Sequence, residues 1–515
     1  MHRQNRGQAD FTEEVMSTAI LDRVRALLDI YSANPVSRTI VVAMMTLGVV
    51  TLTRGIASGS GVGAIPILLL VWANHERFLA TVESLLARND WLLLGLPLAV
   101  FVARLLMVPP AASDDLLRHI ASAFWPGGYA DMYAYSALPP ASLYPGFDAV
   151  VGALAVRVGP AFAMWITQGL AFGGFVLVFV LAGYRLLAGQ RMAAPLVLAA
   201  LVVTLTVMGE RLFLGRPEIF MTIWALAALL VRGKPGAVVW MTAGLLLCSG
   251  YWLAALYFPA VILLPVTRRG RAAAFVLLCA AWLAMWWWLA DGQPARAIAW
   301  TLEQANNRIA GFEVGENRSI VNLMLHPVSL VLLIGAAWSF GRDRADARLL
   351  LLAGFFALSN QSRYGGVVLP LLALHILSAL RGLHATWPAR TRCAVVAVAV
   401  SALSLLSSTI PAYAALPRFE LPAGSTVLTG FSVATYSTLF ANPGRVRVTP
   451  AFEIGALDPA VQLIVKELAE GRVECERLQR YRFTHLVEDS LSGPAPRCLT
   501  LLASQRGWRL WRVQP

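Results

Sequence analysis

The sequence predicts a polytopic all-α membrane protein of about 11–13 transmembrane helices, followed by a soluble C-terminal α/β domain. Three observations carry this expectation. First, 58% of the 515 residues are hydrophobic, only 14% are charged, and the mean hydropathy is +0.64; soluble chains carry about 25% charged residues. Second, long apolar runs recur along most of the chain, and arginines fall in alternate loops between them. Third, after residue 411 the chain turns polar and its apolar runs shorten to strand length.

Residues 1–38 are polar and lack the early apolar stretch of a secretory signal. Within them, DFTEEVMSTAILDRVRALLDIY (10–31) reads as an amphipathic helix. Asp10 and Glu13 form a capping box, and Val15, Ile20, Val24, Leu27, Leu28 and Tyr31 share one face. Such a helix lies in the membrane interface on the cytosolic side.

Apolar spans follow at 39–54, 62–75, 91–108, 161–183, 193–208, 217–231, 236–249, 251–266, 271–290, 327–340, 348–359, 366–381 and 393–410. Six loops concentrate cations: Arg77 with Arg88; Arg185 with Arg191; Arg232 with Lys234; Arg268, Arg269 and Arg271; Arg342, Arg344 and Arg348; and Arg381, Arg390 and Arg392. Positive charge is retained on the cytoplasmic side, so these loops and the N-terminus are predicted to face inward. The net charge of +13 therefore reflects membrane orientation, and nucleic acid is excluded as a partner. The outward set comprises 109–160, 209–216, 291–326, 359–365 and everything beyond Pro411; for a multi-pass protein of a bacterial inner membrane, the expected location, the tail is then periplasmic.

In that tail, domain 412–515, STVLTG (425–430), RVRVTP (445–450), THLVED (484–489) and WRLWRV (508–513) read as strands. DPAVQLIVKELAEG reads as a helix capped by its Asp and stopped by Gly471. About 100 residues suffice to fold alone. Cys475 and Cys498 both lie there; a disulfide and a pair of free core thiols are both open. Cys248, Cys279 and Cys393 lie in or beside spans as small apolar residues.

Four polar constellations fall in the outward loops of the transmembrane domain, 39–411. The first is AASDDLLRHIASAFW (111–125). Asp114 and Asp115 sit where a span leaves the membrane. They serve either as first-turn acids of a helix capped by Ser113, or as chemistry: a general base on a hydroxyl, or a ligand for a divalent cation (Mg or Mn) that bridges to phosphate, with Asp115 as the metal candidate. His119 follows, able to bind phosphate or cap a helix, and Tyr129, Asp131, Tyr133, Tyr135, Tyr144 and Asp148 form an aromatic, acidic surface suited to a sugar. The second is MGERLFLGRPE (208–218), with Glu210, Arg211, Arg216 and Glu218 at the ends of two spans. Ionisable groups at that depth are costly and usually functional, and Arg suits phosphate; a structural Arg–Glu pair is the alternative. The third is SNQSRYGGVVLPLL (359–372), with Arg363 and Tyr364 either binding or anchoring at the interface. The fourth is EQANNRIAGFEVGENRSIVNLMLHP (303–327), where Asn317 offers a polar contact to a donor.

Together these stretches resemble the GT-C glycosyltransferases, integral-membrane enzymes that use polyprenyl-phosphate-linked sugars. SRYGGVVLPLLALH is similar to an Arg-Tyr…Pro-Leu-Leu signature of the bacterial members, GRPE to a charged turn in their middle spans, and GENRSIVNLM to the Asn-x-Ser loop of the polyprenol-phosphate mannosyltransferase group. LPAGSTVLTG…THLVEDS…GWRLWRVQP is similar to the α/β domain that ends many members. The apolar pair near 39–75 precedes what would be the family's first span. The resemblance implies a GT-C-like fold and transfer of a sugar from a polyprenyl-phosphate donor to a glycan, lipid or protein acceptor among membrane lipids. It implies Asp114 or Asp115 as general base, with Arg211, Arg216 and Arg363 on the leaving lipid phosphate and Tyr364 supporting them. His119, Tyr133, Glu218 and Asn317 are then expected to bind substrate. The alternatives are a polysaccharide polymerase or ligase, a transporter or flippase of lipid-linked glycans, and a non-catalytic assembly subunit. Transporters typically carry internal repeats and broken midplane helices, and neither is evident here.

Overall fold

The computed structural model describes residues 115–135, 144–187, 193–231, 244, 252–289, 319–342, 345–381, 418–429, 433–449, 458–489, 491, 496–505 and 507–515. The expected segment 1–38, the spans at 39–54, 62–75, 91–108 and 393–410, and most of 236–249 lie outside these residues. So do Asp114, Asn317 and the side chain of Asp115.

The first part of the described chain is helical. It contains α1 (Asp115–Ser122), the single turn α2 (Tyr129–Met132), α3 (Pro145–Val158), α4 (Pro160–Leu186), α5 (Ala193–Phe213) and α6 (Pro217–Ala227). A 3₁₀ segment Trp252–Leu263, α7 (Arg268–Leu289), α8 (Ile320–Met324), α9 (Pro327–Ser339), α10 (Ala347–Ala357), a 3₁₀ turn Ser362–Tyr364 and α11 (Gly365–Ala379) complete it. Gly159 joins α3 to α4 with φ +87, a left-handed conformation that Gly adopts without strain, and Pro160 then opens α4 with its φ already helical.

Among the described residues, α4 is the one helix long and apolar enough to cross a membrane by length and composition. Its 27 residues span about 40 Å. Gln168, Phe172, Phe175, Phe179, Ala182 and Gly183 recur at helical spacing on its buried side. Gly183 is small because Val197 of α5 presses there: a Cβ at Gly183 would lie 2.8 Å from a Val197 methyl. The opposite side exposes Phe162, Leu170, Leu177 and Leu181. Exposed apolar side chains continue on α7 (Val276, Leu283, Trp287), α9 (Val331, Ile334) and α10 (Leu351, with Leu358 as its C-cap). An apolar surface this extended is costly in water.

The second part is a five-stranded sheet, with β1 (Thr426–Thr429), β2 (Arg447–Val448), β3 (His485–Glu488), β4 (Leu499–Gln505) and β5 (Trp508–Val513) in the order β2-β1-β3-β5-β4. β1 runs parallel to both neighbours, and β5 runs antiparallel to both β3 and β4. Pairing of Gln505 with Trp508 leaves a tight hairpin turn, for which Gly507 supplies φ +86. Helices α12 (Val433–Ala441), α13 (Pro459–Ala469) and α14 (Cys475–Arg480) flank the sheet.

Strand alternation divides the apolar residues between two faces. Val427, Val448, Val487 and Leu510 face one cluster, while Leu428, Leu486, Trp511 and Val513 face the other with Val461, Val465 and Leu468 of α13. Cys475 and Cys498 are bridged, tying α14 to the start of β4. The free-thiol alternative is therefore ruled out.

The two parts are joined by the segment after the aspartates. Leu116, Leu117 and Ile120 of α1 pack into the helical body. Ala121, Trp125, Met132 and Tyr133 pack into the first face of the sheet domain. The Trp125 indole donates to the Val446 carbonyl at 3.1 Å, the Ala134 N–H to Val448 O at 2.8 Å, and the Arg447 guanidinium to Tyr133 O at 3.0 Å. Tyr133 thereby extends the sheet beside β2 by one parallel bridge.

Candidate functional site

The N-terminal ends of α1, α6 and α11 lie toward one end of the helical body, and of the site residues expected from sequence Arg211, Arg216, Glu218, Arg363 and Tyr364 lie there. The turn LGRP between α5 and α6 reverses at Gly215, φ +65, where a Cβ would lie 2.9 Å from Leu116 and 3.3 Å from Gln168 of α4. The turn is thus seated on the residue that follows Asp115. Arg216 precedes Pro217 as the N-cap of α6 and is almost fully buried.

Arg211 and Glu218 lie on the two sides of this turn. Arg211 Nη2 stands 3.7 Å from Glu218 Oε1, an ion-pair distance longer than a hydrogen bond. Glu218 is 8% exposed, and its Oε2 has no hydrogen-bond partner among the described residues. A carboxylate so placed pays for desolvation with one partner only, which is weak as structural cement and apt for a ligand that donates a hydrogen bond.

Tyr257, in the 252–263 segment, links this pair to the third constellation. It hydrogen-bonds Thr222 and senses the charges of Glu218 and Arg211 and the phenol of Tyr364. Its ring lies 4.9 Å from Phe356, which lies 5.8 Å from Tyr364. Tyr364 is buried and Arg363 half-buried in the 3₁₀ turn that starts α11. Helix α8 packs over that turn, and Ser319 donates to Asn360 Oδ1 at 2.6 Å, so the loop containing Asn317 ends against the Arg363 segment.

The structure therefore brings Arg211, Glu218 and Tyr364 around Tyr257, with Arg216 and the start of α1 alongside. Two expected residues lie elsewhere. His119 is fully buried between α1 and α3, where its Nδ1–H meets the Asp148 carboxylate and its ring sits edge-on to Tyr144 and Phe147, each at 5.1 Å. Tyr133 is buried in the contact with the sheet domain. Sequence reading did not single out Tyr257. Its signal is a lone hydroxyl in the apolar run WLAALYFPAVIL. Among the described residues no group of three or more His, Cys, Asp or Glu side chains is arranged to hold a metal ion.

No known family model and no curated protein matches the sequence. Among solved structures, the apo oligosaccharyltransferase of Archaeoglobus fulgidus is similar over 77% of this chain and 69% of its own, with a TM-score of 0.49 and 13% identity.

Proposed function

We propose that the chain is a membrane glycosyltransferase that moves a sugar from a polyprenyl-phosphate donor to an acceptor hydroxyl at the periplasmic face. The observation that carries this reading is the convergence of the segment after Asp115 with Arg211, Arg216, Glu218 and Tyr364 at one end of the body. Positive charge gathered in a largely buried setting suits a phosphate leaving group, because guanidinium contacts are strong where water is scarce. The distance along α4 supports the membrane placement. From Gln168, beside the site, to Arg185 at the far end is 17 residues, about 25 Å, close to the hydrocarbon thickness of a bilayer. The apolar side chains exposed on α4, α7, α9 and α10 suit lipid.

In the proposed step, Asp114 or Asp115 takes the proton of the acceptor hydroxyl as its oxygen attacks the anomeric carbon. The bond from that carbon to the phosphate oxygen breaks, and polyprenyl phosphate leaves with the electron pair toward Arg211, Arg216 and Arg363. Direct displacement inverts the anomeric centre. Glu218 accepts a sugar hydroxyl, and Tyr364 with Tyr257 fixes the wall. Asp115 is also where a divalent cation would sit; no part of this step is routed through one. His119 acts by holding α1 against α3, and Tyr133 by holding the segment after α2 against the sheet domain, rather than by touching substrate.

The test is sugar transfer from radiolabelled polyprenyl phosphate in membranes carrying Asp114→Asn, Asp115→Asn and the double variant. Loss of about 100-fold or more is expected for the residue that serves as base. Unchanged transfer in all three overturns the proposal.

A further inference from the structure

We propose that Gln168 of α4 hydrogen-bonds the hydroxyl on the carbon next to the anomeric carbon of the donor sugar, and so selects sugars that carry a polar group there. The inference rests on the transfer reaction proposed above. It adds to that site a residue that belongs to none of the four polar constellations.

The first observation is a buried amide with nothing to bond. Gln168 is 4% exposed on the apolar helix α4. Buried threonines of the helical body return their hydroxyls to their own helix. Thr167 donates to Ala163 O at 2.8 Å, Thr204 to Ala200 O at 2.8 Å and Thr222 to Glu218 O at 3.0 Å, each four residues back. The Gln168 amide has no hydrogen-bond partner among the described residues. It carries two N–H donors and an acceptor oxygen, and leaving them unpaired away from water is destabilising. A polar group kept at that cost in an apolar span points to a ligand.

The second observation is what lies against it. A Cβ placed on Gly215 would stand 3.3 Å from Gln168 Cγ and 2.9 Å from a Leu116 methyl. The amide is one carbon beyond that Cγ, so it stays close to the turn that separates Arg211 from Arg216 and to the residue that follows Asp115. The same turn opens α6, whose N-cap residue accepts no side-chain hydrogen bond from the first N–H groups, an end suited to an anion. In the proposed reaction the phosphate lies at the arginines and the base at the start of α1. The reacting carbon lies between them, and Gln168 borders that interval from α4. A neutral amide neither competes for the phosphate nor takes the acceptor's proton. Its donors and its acceptor fit a hydroxyl, which is both. The hydroxyl nearest the reacting carbon is the one on the adjacent ring carbon, and hydrogen bonds to that group strengthen in the transition state of sugar transfer.

The experiment measures binding to the full-length protein in detergent by native mass spectrometry. The probes are citronellyl phosphate alone and citronellyl phosphate carrying mannose, glucose or arabinose, each sugar also as its 2-deoxy analogue. Wild type is expected to bind the tightest of the three sugars roughly three- to tenfold better than its 2-deoxy form, the worth of one neutral hydrogen bond. Gln168→Leu, of similar volume, is expected to erase that preference while binding citronellyl phosphate as wild type does and melting no lower. A purely structural amide gives the reverse, a lowered melt with the preference intact. Thr167→Val, which removes a hydroxyl bonded within its own helix, keeps the preference. Should Gln168→Leu not remain monodisperse, Gln168→Asn, which draws the amide back by one carbon, carries the comparison. No preference in wild type, or an equal preference in the Gln168 variant, overturns the proposal. If citronellyl phosphate itself does not bind, the polyprenyl-phosphate reading falls as well; if it binds and the preference is absent, the assignment of Gln168 falls alone.

Discussion

At the scale of single residues, the sheet domain depends on one carboxylate. Glu488 is fully buried on β3 and accepts from the Trp511 indole at 2.7 Å, the Leu491 N–H at 2.7 Å and Arg509 Nη2 at 3.3 Å, with Arg509 Nε at ion-pair distance, 2.9 Å. Such a charge is tolerated because every partner is in place; removing it strands the Arg509 guanidinium and the indole N–H. Glu488→Ala is expected to cost about 3–5 kcal/mol, read as a lowered midpoint in a tryptophan-fluorescence melt. Its neighbour His485 sets a pH limit. Burial first, then the charge of Arg512, pushes its pKa below the ordinary value of 6.5. The folded domain therefore binds this proton less readily than the unfolded chain. The stabilisation is complete above about pH 6.5 and is lost as pH falls from there toward the depressed folded value. The melting temperature should drop on acidification from pH 7 to 5, and His485→Gln should flatten that slope. In the helical body, Tyr257→Phe removes the hydroxyl bonded to Thr222 while keeping the ring against Phe356. A loss of about 1 kcal/mol in stability is expected, with a larger fall in sugar transfer if the hydroxyl orders the Arg211–Glu218 pair.

At the scale of elements, the decisive contact is the segment 115–135, whose apolar residues serve two cores at once. Trp125→Ala removes a buried indole and its bond to Val446 O. It is expected to cost about 3–5 kcal/mol and to open the 126–128 turn to protease before the rest of the chain is cut. The Cys475–Cys498 bridge, closing a loop over a sequence separation of 23, should contribute about 3 kcal/mol, visible as a lower melting temperature in reductant. Elements whose own residues carry the pattern were legible in the sequence. The run expected at 161–183 is helical as Pro160–Leu186, the expected strands 484–489 and 508–513 appear as His485–Glu488 and Trp508–Val513, and the expected Asp cap is Asp458, accepting from the Ala460 N–H at 2.9 Å. Strand β4 was not legible, because it lies at the sheet edge with mostly exposed residues and shows no alternation. Nor was the bridge of Tyr133 to Val448, since a pairing across more than 300 residues leaves no local signature. At the candidate site, the Arg–Glu turn was legible from ionisable residues interrupting apolar runs. Tyr257 was not, because one tyrosine in such a run is ordinary.

At the scale of the whole molecule, two chemically different ends are held apart by helices that share a direction. The N-terminal ends of α6 and α11 carry Arg216, Glu218 and Tyr364, while the C-terminal ends of α4 and α11 carry Arg185 and Arg381. In the proposed orientation the Arg185 and Arg381 end lies inside and the docked sheet domain outside. The consequence is measurable with exposed positions outside the proposed site. Leu325, 62% exposed, follows α8 at the site end, and Phe340, 72% exposed, follows α9 at the arginine end. In a background with Cys248, Cys279 and Cys393 replaced, Leu325→Cys should react with a membrane-impermeant maleimide in intact spheroplasts. Phe340→Cys should react only after the membrane is opened. These positions bracket α9, whose 13 residues run about 20 Å, short for a straight crossing. The proposed placement puts the caps on either side, Ser319 at α8 and Asp346 at α10, toward the two interfaces. Labelling of both cysteines from the same side would place the Arg363 turn and the Arg381 end on one face of the membrane. The two ends would then share one aqueous compartment, and the proposed orientation of the transfer site could not hold.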